Sequence, residues 1–459
     1  MATTTQRNLG EFGRLEIWQV ALRRNVLGYA AFVLLTAILL LRPSDMFDRM
    51  ETWPFYRAGL VGCLLVLGYA VYDQLRPASL RLRPITVCVL GIALCGILSN
   101  MVHLDFYTAR FTAIDCLSCV LFYLFLVGCI DSWQRMRQYL LWVVAFIMLI
   151  CGLGLLQFHG YIDVNAKPWV EQEDYIDPES GQNIVMTRLC GVGTFDNPND
   201  LARIIVVGVI ICLWAVGDRR FSVARYLWFI PIAVFGYAMY LTSSRGGFLA
   251  MLAAVLTLLA ARFGKTKSII LAAIILPTMF IAFAGRITDV DTSEGTGQER
   301  IKLWRDAFDA MKSSPIFGIG VGQFAEQEGL LVHNSFLQCY TEMGIIGGAI
   351  FSGAFYLAVW GPYRLKQYFP RFYEPEIRRL QPFLLAIMVG SIVGMFSSTR
   401  SYRVDTYLLL GLAAVYLRVA GDMVPASRIK FDKPLLLRLG ILGILCVSAF
   451  NIYVRIAAR

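Results

Sequence analysis

Twelve stretches of this chain, with a thirteenth candidate near its end, are apolar over about the length that crosses a membrane. They lie near 25–41, 58–72, 84–102, 111–130, 139–158, 200–216, 226–242, 247–261, 268–284, 344–360, 382–397 and 405–419, and the candidate lies at 436–454. Hydrocarbon offers no water to the backbone, so a segment inside it must satisfy its own N–H and C=O groups, and each stretch is expected to be a helix. The shorter ones fall below the ~20 residues that cross a bilayer core and are expected to run into their flanks. Composition agrees. The chain is 57% hydrophobic and 16% charged, whereas a soluble domain carries about a quarter charged residues. That excludes a soluble cytosolic enzyme, a disordered chain and a disulfide-stapled secreted scaffold. The expected fold class is an all-α polytopic integral membrane protein.

Charge sets the orientation. With the N-terminus in the cytoplasm, the inner connections hold 25 of the 42 Lys and Arg residues, and each carries at least two. This is the bias that orients membrane proteins. It also accounts for the net charge of +10 without a nucleic-acid partner. The polar, Arg-rich stretch 1–24 does not read as a cleavable leader. Most of the eleven Cys lie within apolar runs, where Cys packs as a small hydrophobe, and Cys116-x-x-Cys119 is read that way.

Two outer loops are long, 159–199 and 285–343, and long loops in compact proteins tend to carry function. They divide the chain into a cytoplasmic segment 1–24, spans over 25–158, the loop 159–199, spans over 200–284, the loop 285–343 and spans over 344–459. Thr296-Gly-Gln-Glu299 reads as a capping box. Ile301, Trp304, Phe308 and Met311 follow at helical spacing, so the second loop is expected to carry an amphipathic helix. Pro315-Ile-Phe-Gly318-Ile-Gly320-Val-Gly322 lacks the strand and the Lys of a phosphate loop and reads as a turn folding the loop back over the membrane.

The candidate chemistry gathers at the outer face. His333, in Leu331-Val-His-Asn-Ser-Phe336, stands where the second loop meets a span; a neutral imidazole there can take a proton from a hydroxyl. His103 and His159 are isolated and read as structural. No HxxxH or HExxH pattern occurs, so no metal or other cofactor is expected. Arg188 closes the first loop. Asn197 suits an N-cap and Pro198 the first helical position, turning a helix N-terminus outward. Arg203 follows one turn in, and Arg245 sits in Ser243-Ser-Arg-Gly-Gly247. Arginines beside a helix N-terminus suit a phosphate or pyrophosphate; the bland alternative is that each pairs locally or reaches the interface. Asp115, in the fourth stretch, reads as a buried charge.

These motifs together resemble the O-antigen ligase and O-antigen or exopolysaccharide polymerase superfamily of bacterial membrane glycan transferases. The resemblance rests on Arg188 with Gly193-Thr-Phe-Asp-Asn-Pro-Asn199, on Ser243-Ser-Arg-Gly-Gly247, on Arg300-Ile-Lys-Leu-Trp304, on Pro315-Ile-Phe-Gly-Ile-Gly320 and on His333-Asn-Ser-Phe-Leu337 with Glu342 and Gly344. It implies transfer of a glycan from undecaprenyl pyrophosphate, at the periplasmic face of the inner membrane, to the lipid A core or to a second lipid-linked glycan. It implies inversion at the anomeric carbon without a metal. His333 then matches the essential loop histidine, and Arg188 and Arg245 match arginines at the pyrophosphate. Arg203, Arg286 and Arg300 are further donor-binding candidates, and Asn197, Asn199, Asn334 and Glu342 supporting ones. Asp196 and Glu342 are second choices for the base. The Gly193–Asn199 segment fits polymerases as well as ligases. A flippase or exporter would instead predict midplane charges and internal symmetry.

Overall fold

The structure is a computed structural model that describes residues 26–46, 54–162, 169–176, 183–287 and 296–457. Leaving helices shorter than eight residues and the 3₁₀ turns unnumbered, the chain runs α1 (Val26–Leu41), α2 (Phe55–Leu75), α3 (Pro84–Val102), α4 (Phe106–Cys129) and α5 (Trp133–Phe158). A hairpin of β1 (Trp169–Ile176) and β2 (Asn183–Leu189) follows. Then come α6 (Pro198–Val216), α7 (Phe229–Thr242), α8 (Arg245–Arg262), α9 (Lys265–Ile287), α10 (Thr296–Ser313), α11 (Ser335–Arg364), α12 (Pro375–Gly394), α13 (Val404–Met423) and α14 (Lys433–Ala457).

Every apolar stretch read from the sequence is helical, including 436–454, which lies inside α14. Eleven described helices are long and apolar enough to cross a membrane, and α1 and the Thr266–Met279 part of α9 are shorter apolar helices. The protein is a multi-pass, all-α membrane protein. At its centre stand α6, α12 and α13, whose apolar windows are 89%, 78% and 83% enclosed by the protein itself, against 17% for α14. Such helices are apolar all round, as burial on every side requires.

Two ion pairs cross this centre. Arg203 of α6 pairs with Asp405 at the start of α13, and Arg400, just before α13, reaches Asp200 of α6 at 3.0 Å. All four side chains are nearly or fully enclosed. Charges withdrawn from water in this way need a partner of opposite sign.

The hairpin is a departure from the sequence reading, which gave 159–199 no strand. Its strands run antiparallel, with Val170 opposite Arg188. Asp115 is a second departure. It lies on an exposed face of α4, not in the interior; hydropathy sees the span but not which side of it a residue occupies.

The glycine-rich segment does more than turn. At Gly344 (φ +68°, ψ −170°) α11 breaks its helical path. The extended segment before α11 docks into that break: Ile319 N–H donates to Thr341 O at 3.0 Å, Gly320 N–H to Glu342 O at 3.1 Å, and Ile345 N–H to Pro315 O at 2.9 Å. Groups orphaned by the break are thereby satisfied. Only glycine fits where the two backbones meet, because a Cβ on Gly318 would lie 2.4 Å from Glu342 O and one on Gly344 2.2 Å from Ile316 O. His103 Nε2, at the end of α3, holds Gly318 O at 2.7 Å.

The described part of helix α10 runs Thr296–Ser313, in the loop where an amphipathic helix was expected. Its inward line is Leu303, Ala307 and Phe308, flanked by Trp304 and Met311. It packs on Ile319, Phe324, Val332 and Leu337, and on Val454 of α14. An amphipathic helix is therefore seated on one end of the bundle.

Candidate active site

The first half of the site is built at the start of α6. Asn197 caps the helix, accepting the Asn199 N–H at 2.9 Å, with Pro198 in the first helical position. The cap puts Asn199 in the first turn, where its Oδ1 accepts from Ser244 Oγ–H at 2.6 Å and from Arg188 Nη2–H at 3.4 Å. Arg188, carried on β2, also donates from Nε to Thr242 O at 3.0 Å.

Ser244 caps α8 by accepting the Gly247 N–H at 3.0 Å. The two glycines of this turn allow close approach on both sides: a Cβ on Gly246 would lie 2.0 Å from Ser397 Oγ, and one on Gly247 2.3 Å from Ala202 Cβ. Arg245, the first residue of α8, is thus fixed beside the start of α6. Asn199 and the Ser244 cap join the neighbourhoods of Arg188 and Arg245.

The second half surrounds His333. Its backbone is left-handed (φ +52°), a conformation that a non-glycine residue keeps only when its surroundings impose it. Three elements impose it. Trp304 Nε1–H of α10 donates to Val332 O at 2.9 Å. His333 N–H donates to Thr399 Oγ1 at 3.0 Å. Asn334 caps α11, accepting from Phe336 N–H at 3.1 Å and Leu337 N–H at 3.2 Å. The α12–α13 connection is itself clamped to α11: Ser335 Oγ–H donates to Ser398 O at 2.8 Å and accepts Arg400 N–H at 2.9 Å.

Electrostatics join the halves. Burial, and then the Arg300 guanidinium, hold the His333 imidazole below its ordinary value of 6.5. Arg300 in turn feels burial and then the charge of Arg245. Arg300 therefore lies close enough to feel Arg245 and to act on His333. At neutral pH the imidazole is unprotonated and can accept a proton from a hydroxyl. The two guanidinium groups repel each other unless an anion stands between them, and a doubly charged phosphate matches their forks.

Other candidates lie elsewhere. Arg203 is enclosed beneath this region, and Asp405 meets its charge. Arg286 lies on the last turn of α9. Glu342 is 2% exposed, inside the α11 break, where its carbonyl accepts from Gly320. His159 faces the hydroxyl of Tyr237 at 2.9 Å. Among the described residues no three of His, Cys, Asp and Glu gather as metal ligands would.

Sequence reasoning missed Ser397-Ser-Thr-Arg-Ser401 and Asp405. The available signal was an Arg-bearing connection rich in hydroxyl residues on the same face as His333.

Residues 230–352 match the sequence profile of a family described as O-antigen ligase. The matched segment contains Arg245, Arg300, His333, Glu342 and Gly344; Arg188 and the start of α6 precede it. No curated protein matches the chain.

Proposed function

We propose, from the match of residues 230–352 to the O-antigen ligase profile and the site described above, that the chain transfers a glycan from undecaprenyl pyrophosphate to an acceptor hydroxyl at the periplasmic face of the inner membrane. The observation that supports this most is that Arg188 and the Ser244 cap beside Arg245 meet on Asn199 Oδ1, while Arg300 feels Arg245 on one side and acts on His333 on the other.

In this reading the pyrophosphate lies against Arg245 and Arg300, with Arg188 and the first turn of α6 beside it. His333 takes the proton of the acceptor hydroxyl. The acceptor oxygen attacks the anomeric carbon from the face opposite the pyrophosphate, and the bond from that carbon to the pyrophosphate oxygen breaks. The electron pair leaves on the pyrophosphate, where the arginines stabilise it. The anomeric configuration inverts. Arginine charge persists at any physiological pH, so the leaving group needs no divalent ion.

The acceptor is the lipid A core in a ligase or a second lipid-linked glycan in a polymerase. Deleting the gene separates the two: a ligase loses capped lipopolysaccharide, and a polymerase loses long polysaccharide. If neither polymer changes, the assignment fails. Arg188→Ala and Arg245→Ala are expected to depress transfer strongly, and Arg245→Lys to rescue little of it, because an ammonium cannot make the two parallel bonds of a guanidinium. Wild-type rates in Arg245→Lys would remove the bidentate contact from the account.

A further inference from the structure

At the other end of the bundle lies a cavity of about 270 Å³ that the transfer reaction does not use. Its distance from the site follows from two helices. The C-terminal end of α3 holds Gly318 through His103, while its N-terminal end opens on the cavity, about 28 Å away at 1.5 Å per residue. The connection leading into α13 lies beside Ser335, and the end of α13 lines the cavity.

Three guanidinium groups line it, those of Arg83, Arg418 and Arg428, against one carboxylate, Asp422. Arg428 is already engaged, bonding Asp422 at 3.0 Å and Gly421 O at 3.0 Å. The other two are not fully met. Arg83 Nη1 and Arg418 Nε are buried and have no acceptor among the described residues, although Arg418 Nη2 donates to Ile130 O. A buried charged donor without an acceptor is costly. The first turn of α3 opens here too, with Pro84 in the first helical position and no side chain capping it. Its free amides add a partial positive charge. The rest of the wall is apolar, including Leu82, Ile85, Leu417 and Ile429. A second cavity of about 330 Å³ shares Arg428 and Ile429 and adds Arg364, Lys430 and Arg438 against one carboxylate, Asp432.

We propose that this cavity is an anion site for a phosphate group, and that the phosphate is the headgroup of an anionic phospholipid from the adjoining leaflet. Three guanidinium groups against one carboxylate on the wall call for an anion such as phosphate. The apolar wall and the position at the ends of the spans favour a lipid over free phosphate.

The test compares the full-length wild type with Arg83→Gln, whose Nη1 is engaged by no acceptor among the described residues, and with Arg418→Gln as a second variant. Each is exchanged into nanodiscs of equal phosphatidylglycerol and phosphatidylcholine, and retained lipid is read by native mass spectrometry. A second arm titrates inorganic phosphate by calorimetry in non-ionic detergent. The wild type should retain phosphatidylglycerol selectively, and Arg83→Gln should lose that retention by about tenfold or more, with its melting transition still cooperative. Binding of inorganic phosphate that Arg83→Gln abolishes, without lipid retention, would support the anion site and overturn the lipid as its source. If the wild type binds neither probe, or both variants bind both probes as the wild type does, the site is refuted.

Discussion

His333 and Arg300 make an unusual pair, because a cation is set beside the group proposed as base. The arrangement is useful if the imidazole must stay unprotonated while it waits for the acceptor. The sign of its effect on pH dependence follows directly. Burial and the Arg300 charge both lower the proton affinity of His333, so the base is free down to a pH below the ordinary histidine value of 6.5. Removing the charge in Arg300→Gln should raise that affinity and move the acid limb of kcat/KM to higher pH, since kcat/KM reports the free enzyme. An acid limb that stays in place would separate Arg300 from His333. His333 and Arg245 were legible in the sequence, because a histidine and an arginine at the mouths of spans stand out in a chain so poor in charge. Arg400 and Asp405 were not: their roles depend on which helix each faces, and that is a tertiary fact.

Among the elements, the break in α11 and the segment that fills it fix where His333 can stand. The docked segment holds α10 on one side and the N-terminal end of α11 on the other. Gly344→Ala should damage this joint, because its positive φ and the 2.2 Å approach to Ile316 O leave no room for a methyl group. Strain of this kind costs on the order of 1–3 kcal/mol at least. Thermal unfolding in detergent should show a lower midpoint together with reduced transfer. An unchanged midpoint would mean that the break is not under backbone constraint. The helices themselves were readable from hydropathy, and the cap at Asn197 from residue type; the Ser244 cap was not read, because its segment was taken as a tight turn. The hairpin was not, because Trp169-Val-Glu-Gln-Glu-Asp-Tyr-Ile176 lacks the clean alternation that marks a strand. The glycine-rich segment showed that a turn was needed, but its partner lay more than twenty residues on, inside a stretch that reads as continuous helix.

For the whole molecule, the buried pairs Arg203–Asp405 and Asp200–Arg400 tie α6 to the start of α13, directly beneath the arginines proposed to meet the donor. Asp405→Asn would leave Arg203 enclosed without a counter-charge and should cost about 3–5 kcal/mol. Replacing both members, Arg203→Met with Asp405→Leu, should recover much of that loss, since well-packed apolar side chains can stand in for a buried pair. If the double variant is no more stable than Asp405→Asn, the pair is not an isolated electrostatic unit.

In the proposed reaction His333 acts as the base while arginines, not a metal, carry the leaving charge. The most direct measurement is transfer from a labelled undecaprenyl pyrophosphate-linked glycan by the purified protein in vesicles with excess EDTA, comparing wild type with His333→Ala. The wild type should turn over undiminished by the chelator and unaided by Mg²⁺, while His333→Ala should bind donor normally and transfer about 10²–10⁴-fold more slowly. Near-normal turnover by His333→Ala, or wild-type turnover that stops with EDTA and returns with Mg²⁺, would contradict it.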